Sequence, residues 1–248
     1  MHDASAARAP DSAFTGVRAA GHDNQGITAL IFDMDGTMVD SMPYHQKSWL
    51  LFAQKHGLTI DIADLMRRTT GRTGAECMNE LFQRDIEPQA AGPLIAEKEA
   101  IYRALFGPVF AEVAGFKQFA ARAQASGLKV GVGTAGDQHN IAFVMSHLLM
   151  PIAPLAIVGG DEGLSGKPDP AIFLEVARRL HVPPAQCLVF EDAPYGIEAA
   201  RRAGMRAVAI CTTHSPAELA GPHVLANVRD YSELDSQFLS GLTHALPA

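Results

Sequence analysis

The 248-residue chain has little cysteine, no excess of basic charge and no long apolar run. Its cysteines are three, Cys77, Cys187 and Cys211, without Cys-x-x-Cys spacing, which argues against a disulfide framework or a cysteine zinc site and for a reducing, cytoplasmic setting. Lys and Arg number 20 against 27 Asp and Glu, a net charge of −7. Nucleic acid and anionic membranes need clustered cations, so neither is an expected partner. No apolar stretch reaches the roughly 18 residues of a membrane span; that from Val144 to Gly160 is broken by Ser146, His147, Pro151 and Pro154. Residues 1–25 lack the apolar middle region of a secretory signal. With Phe14 and Val17 as their only sizeable apolar side chains, they read as a disordered N-terminal tail.

What is present begins with the apolar run from Ile27 to Phe32, which ends abruptly in Asp33-Met34-Asp35-Gly36-Thr37. Such a run reads as a buried parallel strand, and ligands in open α/β sheets bind beyond the carboxyl ends of these strands. Asp33 and Asp35 therefore meet at the rim of the sheet, where a chain leaving at Gly36 can swing Asp35 toward whatever Asp33 holds. The pair fits a nucleophile and a general acid/base. Asp-Gly alone is also a hairpin signal, but three further positions stand in register with it. Thr134 ends the strand-like run from Leu128, Lys167 lies in Gly166-Lys167-Pro168-Asp169-Pro170, and Glu191-Asp192 follow Leu188-Val189-Phe190.

Strands are expected at Val130–Thr134, Ala156–Val158, Leu188–Glu191, Ala207–Ile210 and near Val224–Val228. Helices are expected at Lys117–Ser126, Gln138–Leu148, Ala171–His181 and Gly196–Ala203. This alternation predicts an α/β fold with a doubly wound parallel-sheet, Rossmann-like core covered on both faces. Linkers around Val39–Pro43 and Phe106–Gly115 bound an insertion whose apolar residues recur at helical spacing, as in Trp49, Leu50, Phe52 and Ala53, or Cys77, Met78, Leu81 and Phe82.

The four motifs, in this order and each at a strand end or loop, resemble the signature of the haloacid dehalogenase-like phosphotransferases. That family places a cap directly after its first strand. The resemblance thus implies a catalytic core of residues 26–42 and 112–248 and an inserted all-α cap of residues 43–111. It also implies Asp33 as the nucleophile that forms an aspartyl-phosphate and Asp35 as the general acid/base. Lys167 becomes a fixed positive charge at the transferring phosphoryl group. Thr134 contributes its hydroxyl, with backbone N–H groups of Ala135 and Gly136 at a helix start. A magnesium ion would be held by Asp33, by the backbone carbonyl of Asp35 and by Asp192, with Glu191 in a more remote or water-mediated contact.

Asp40-Ser41-Met42-Pro43-Tyr44-His45-Gln46-Lys47-Ser48-Trp49 is similar to the β-phosphoglucomutase-like branch. His45 and Trp49 share a helix face at i and i+4. His45 is either a surface histidine or a substrate-binding group, and Trp49 is expected in the cap core. Arg72, in Thr69-Thr70-Gly71-Arg72-Thr73-Gly74, offers a fork for a distal anionic group. Lys98 falls where the mutases carry a cap lysine, or else belongs to a solvated charge cluster with Glu97 and Glu99. The chain departs from the mutases, which carry an arginine at the place of Gly74. It departs too from a related pyrophosphatase branch, which carries an acidic metal ligand at the place of Thr70. The expectation is therefore a magnesium-dependent phosphatase acting on a small phosphorylated metabolite, most plausibly a sugar phosphate. A phosphohexomutase, an inorganic pyrophosphatase and a non-catalytic phosphoacceptor are the alternatives. A closing cap implies a small substrate, and a monomer is expected.

Overall fold

The computed structural model describes residues 26–243, so the expected tail lies outside the described residues. Six strands, β1 Ala29–Phe32, β2 Lys129–Gly133, β3 Ala156–Val158, β4 Cys187–Glu191, β5 Arg206–Ile210 and β6 Val224–Val228, form one parallel sheet in the order β3-β2-β1-β4-β5-β6. Strand order reverses between β1 and β4, so the crevice beyond their carboxyl ends is a topological switch point. Asp33 leaves β1 and Glu191-Asp192 leave β4 at that crevice.

The core helices are α5 Phe116–Ala125, α6 Gln138–Leu148, α7 Ala171–Leu180, α8 Pro194–Arg202 and α9 Ser236–Thr243, and α1 to α4 form the insertion: Met42–Lys55, Ile62–Thr69, Gly74–Phe82 and Pro88–Phe106. Their apolar stripes cover both faces of the sheet. Leu30, Phe32, Val130, Val132 and Phe190 face a cluster with Phe116, Phe119 and Tyr231, whereas Ala29, Ile31 and Val189 face Ile172, Phe173, Val176 and Ile197. Phe32 stacks on Phe190 with centroids 4.7 Å apart and meets Phe116 edge-on at 5.2 Å.

The element boundaries shift slightly from expectation. β2, β4 and β5 each begin one residue early, and β2 stops at Gly133, which releases Thr134 into the loop. α5 likewise starts one residue early. α7 ends at Leu180 because His181 takes a left-handed φ of 54° as its cap. α8 starts at Pro194 rather than Gly196, since proline in the first turn gives up an N–H that has no helical partner anyway.

The insertion is an all-α cap with its own small core of Trp49, Phe52, Leu65, Cys77, Met78 and Leu81, where Trp49 is only 5% exposed. Pro43 belongs to the first turn of α1, not to a linker. The two crossing segments are paired with one another: Asp40 N donates to Ala111 O at 3.0 Å and Val113 N to Met38 O at 3.0 Å.

Gly131 of β2 lets α7 lie close against the sheet; a Cβ there would sit 2.5 Å from Val176 Cγ1. Gly131→Ala should therefore cost about 1–3 kcal/mol through overpacking. A urea titration would read this as a lower midpoint at unchanged slope, and an unchanged midpoint would contradict the close packing.

Candidate active site

The residues picked out at the strand ends converge. Asp33 is 7% exposed, and its Oδ1 accepts from Lys167 Nζ at 2.5 Å. The same ammonium donates to Glu191 Oε1 at 2.7 Å and lies 4.6 Å from the ring centroid of Phe173. Burial works against the charge on Lys167, yet the carboxylates of Asp33 and Glu191 hold its pKa above the ordinary value. Burial pushes the Asp33 carboxyl well up, against the pull of Lys167. Asp192 is pushed up to about 8, first by burial and then by the charge of Glu191. Its oxygens are oriented by Thr37 Oγ1 at 3.2 Å and Thr213 Oγ1 at 2.6 Å. Gly36, at φ +80°, is required because a Cβ would run into Asp192 Oδ2.

Glu191 is held from two sides. Its Oε1 is taken by Lys167 and its Oε2 accepts the backbone N–H groups of Asp192 and Ala193 at 2.8 and 2.9 Å. Glu191 thus fixes the lysine and the turn after β4, which suits the remote position expected of it. Among the described residues no three His, Cys, Asp or Glu side chains gather as a ready metal cluster. Two buried carboxylates with raised pKa, those of Asp33 and Asp192, remain beside the backbone of Asp35. This small all-oxygen set with surplus negative charge suits a hard divalent cation that keeps several waters.

The expected anion cradle is modified. Thr134 is 1% exposed, but its Oγ1 accepts the Gly136 N–H at 3.0 Å, so that N–H is already engaged. Helix α6 starts only at Gln138. Its first turn is capped by Asp137, which accepts from Asn140 N at 2.8 Å, and by Asp161, which accepts from Gln138 N at 3.2 Å. Two carboxylates thus occupy the first-turn N–H groups that a phosphate would seek. Ala135 and Gly136 still line the cavity.

Asp35 sits in the opposite environment. Its Oδ1 accepts from Ser41 Oγ at 2.6 Å and Tyr102 Oη at 3.2 Å, and His45 Nε2 lies 3.1 Å away in a close but poorly aligned contact. Burial alone would raise this carboxyl, but His45 beside it and the hydrogen bonds hold it down to about 2. His45 stacks on Tyr102 at 3.8 Å, and its Nδ1 lies 2.8 Å from Lys98 Nζ. An ammonium can only donate, so Nδ1 is the acceptor and the ring proton sits on Nε2, toward Asp35.

Lys98 is 2% exposed, so it does not belong to a solvated helix face; it pairs with Glu99 at 2.8 Å and lies 4.7 Å over the Trp49 ring. Arg72 reaches the cavity from the cap but is partnered within the protein, 3.3 Å from Glu80 Oε1 and 5.7 Å from the Tyr195 ring. The cavity, about 690 Å³, is lined by Asp33, Asp35, His45, Arg72, Lys98, Thr134 and Asp192 among others. Ser41, Tyr102, Thr37 and Thr213 were not singled out by sequence. Tyr102 could have been, since it lies one helical turn from Lys98.

A parallel-sheet core carrying an aspartate–lysine centre at its switch point, roofed by a helical insertion, defines a capped α/β hydrolase. The chain belongs to the haloacid dehalogenase-like hydrolases, whose family model matches residues 27–204. It is 38% identical over 184 residues to the fructose-1-phosphate phosphatase YqaB of Escherichia coli, covering 72% of this chain and 94% of that protein. It is 30% identical over 204 residues to the validoxylamine A 7'-phosphate phosphatase of Streptomyces hygroscopicus subsp. limoneus, covering 82% of this chain and 94% of that protein. A β-phosphoglucomutase from Clostridium difficile shares the fold, with a TM-score of 0.76 at 24% identity, covering 88% of this chain and 97% of that one. No described helix is long and apolar enough to cross a membrane.

The raised Asp192 carboxyl sets a pH dependence of stability. An unfolded aspartate titrates near pH 4, whereas the folded one titrates near 8. Between these values the folded state retains a proton that the unfolded state has lost, so this group's contribution falls as pH rises from about 4 to about 8. In chelator, Asp192→Asn should gain stability over the parent at pH 8 and much less at pH 5. Thermal unfolding at the two pH values checks this, and an equal difference at both would refute it.

Proposed function

We propose that the chain is a magnesium-dependent phosphatase that hydrolyses a small phosphate monoester, most plausibly of a sugar, through an aspartyl-phosphate on Asp33. The observation that carries this reading is the pairing of a lysine-anchored Asp33 with a cap-contacting Asp35 two residues on. Lys167 holds Oδ1 of Asp33 and leaves Oδ2 for attack on phosphorus. The bond from Oδ2 to phosphorus forms as the ester P–O bond breaks, and the leaving oxygen takes a proton from Asp35. Water then attacks phosphorus, gives its proton to Asp35, and the bond to Asp33 breaks to release phosphate. Asp35 is ionised at rest, suited to the second step; an arriving phosphate dianion raises its pKa and readies it for the first. Magnesium held by Asp33, the Asp35 carbonyl and Asp192 would screen the repulsion between phosphate and carboxylate.

Specific observations favour the phosphatase over a mutase. A mutase grips a second phosphate, but Gly74 leaves no room for the arginine that would do so: a Cβ there would lie 2.9 Å from Ile95 Cγ2. Lys98 is paired with Glu99, whereas Arg72 shares Glu80 with Arg68 and keeps a buried Nε without a partner. The similarity to the fructose-1-phosphate phosphatase supports a sugar or polyol as the rest of the substrate. At the place of the pyrophosphatase ligand, Thr70 donates its hydroxyl to Met66 O at 2.8 Å.

Phosphate release should be measured from hexose 1- and 6-phosphates, fructose 1-phosphate, fructose 1,6-bisphosphate, phosphoglycolate and pyrophosphate, with magnesium and with chelator. Release from a sugar monophosphate, lost in chelator and reduced by about 10³-fold or more in Asp33→Asn, is expected, given the cost of removing a nucleophile. Preference for pyrophosphate, or conversion of hexose 1-phosphate to 6-phosphate without release, would overturn it.

A further inference from the structure

Asn140 belongs to none of the four motifs, yet its side chain joins core and cap. It is 1% exposed, in the first turn of α6 just beyond the Thr134–Gly136 loop. Its Oδ1 accepts from Arg103 Nη1 at 2.7 Å, and its Nδ2 donates to Glu99 Oε2 at 2.7 Å. Glu99 and Arg103 stand one turn apart on α4, so a single amide is gripped on both its polar ends by one cap helix. The amide presents a donor to Glu99 and an acceptor to Arg103 at once; a carboxylate would repel Glu99, and an apolar side chain would strand both charges. The contacts continue inward: Glu99 Oε1 accepts from Lys98 Nζ at 2.8 Å, and Lys98 reaches His45 Nδ1 at 2.8 Å, with His45 Nε2 3.1 Å from Asp35. Core and cap also meet where Tyr102 Oη donates to Asp35 Oδ1 at 3.2 Å and where Lys167 N donates to Gly71 O at 3.1 Å.

We propose that Asn140 is a positioning residue that clamps α4 onto α6 and, through Glu99 and Lys98, sets His45 against Asp35. The clamp makes seating of the cap and orientation of the acid/base one event: with Asn140 engaged, Lys98 is confined between Glu99, His45 and the Trp49 ring. Its effect on turnover rests on the hydrolase reading given above; its effect on the cap does not.

Trp49 is the only tryptophan in the chain and lies beneath Lys98, so its fluorescence reports the clamp directly. Acrylamide quenching, circular dichroism and turnover of the best sugar phosphate should be compared for Asn140→Asp, Asn140→Leu and Asn140→Asp combined with Glu99→Gln. The two single variants should expose Trp49 to quenching with secondary structure retained, and lower kcat/KM by about tenfold or more. The double variant exchanges donor and acceptor across the same pair and should recover to within about threefold of the parent, since coupled partners depart from additivity. Quenching unchanged in the single variants overturns the proposal even if they lose activity or melting temperature, as does a double variant no better than Asn140→Asp. Should the parent release no phosphate from any compound, the phosphatase reading fails while quenching still decides the clamp.

Discussion

The site depends on one buried ammonium. Lys167 is enclosed between Asp33, Glu191 and the Phe173 ring, and it is the single cation set among three carboxylates if Asp192 is counted. Burying charge is costly, and the cost is bearable only when each partner is held in good geometry with further hydrogen bonds. The surroundings supply that geometry. Glu191 is pinned by two backbone N–H groups, the Lys167 N–H is tied to the Gly71 carbonyl, and Gly196 leaves the space that Glu191 fills. Burial first, and then the neighbouring carboxylates that one positive charge does not balance, push Asp33 and Asp192 toward protonation. The pocket is thereby built to take up positive charge.

That centre is placed by the packing beneath it. Phe32 and Phe190 pair in register across β1 and β4, and their stacked rings fill the core one residue below the carboxylates. The Asp33 N–H continues the ladder by donating to Phe190 O at 3.0 Å. The alternation of a strand that sends Phe32 inward therefore also fixes where Asp33 emerges. Core packing and site geometry are one constraint at this end of the sheet.

Two carboxylates separated by one residue have pKa values driven in opposite directions, which is how a fold assigns distinct chemical tasks to like groups. Asp33 is raised by burial beside other carboxylates, whereas Asp35, despite its burial, is lowered by His45 and Lys98 of the cap and by Ser41 of the linker. The nucleophile thus draws its environment from the core and the acid/base draws part of its environment from the insertion. Displacement of the cap takes His45 and Tyr102 from Asp35 and the Gly71 carbonyl from the Lys167 N–H, whereas the side-chain bond between Lys167 and Asp33 lies within the core.

What could be read in the sequence follows the same division. The parallel core, its strand ends and the residues Asp33, Thr134 and Asp192 were legible because apolar runs stop there, and Lys167 because it stands in a Gly- and Pro-rich loop in register with them. The partners of Glu191 and Gly136 were not legible because they are settled by turn geometry that composition does not encode. The start of α6 was placed correctly, but not that Asp137 and Asp161 would occupy its first turn. The cap was the least legible part. Lys98 and His45 are 53 residues apart and Asn140 and Glu99 41 apart, and neither pair lies on a shared helix or strand. Such contacts arise only once α4 is laid across both α1 and α6, so their meaning belongs to tertiary packing. Of the pattern Glu97-Lys98-Glu99, which in isolation reads as a solvated face, Glu97 does face outward to Lys55 and His56, and that placement alone turns Lys98 and Glu99 inward.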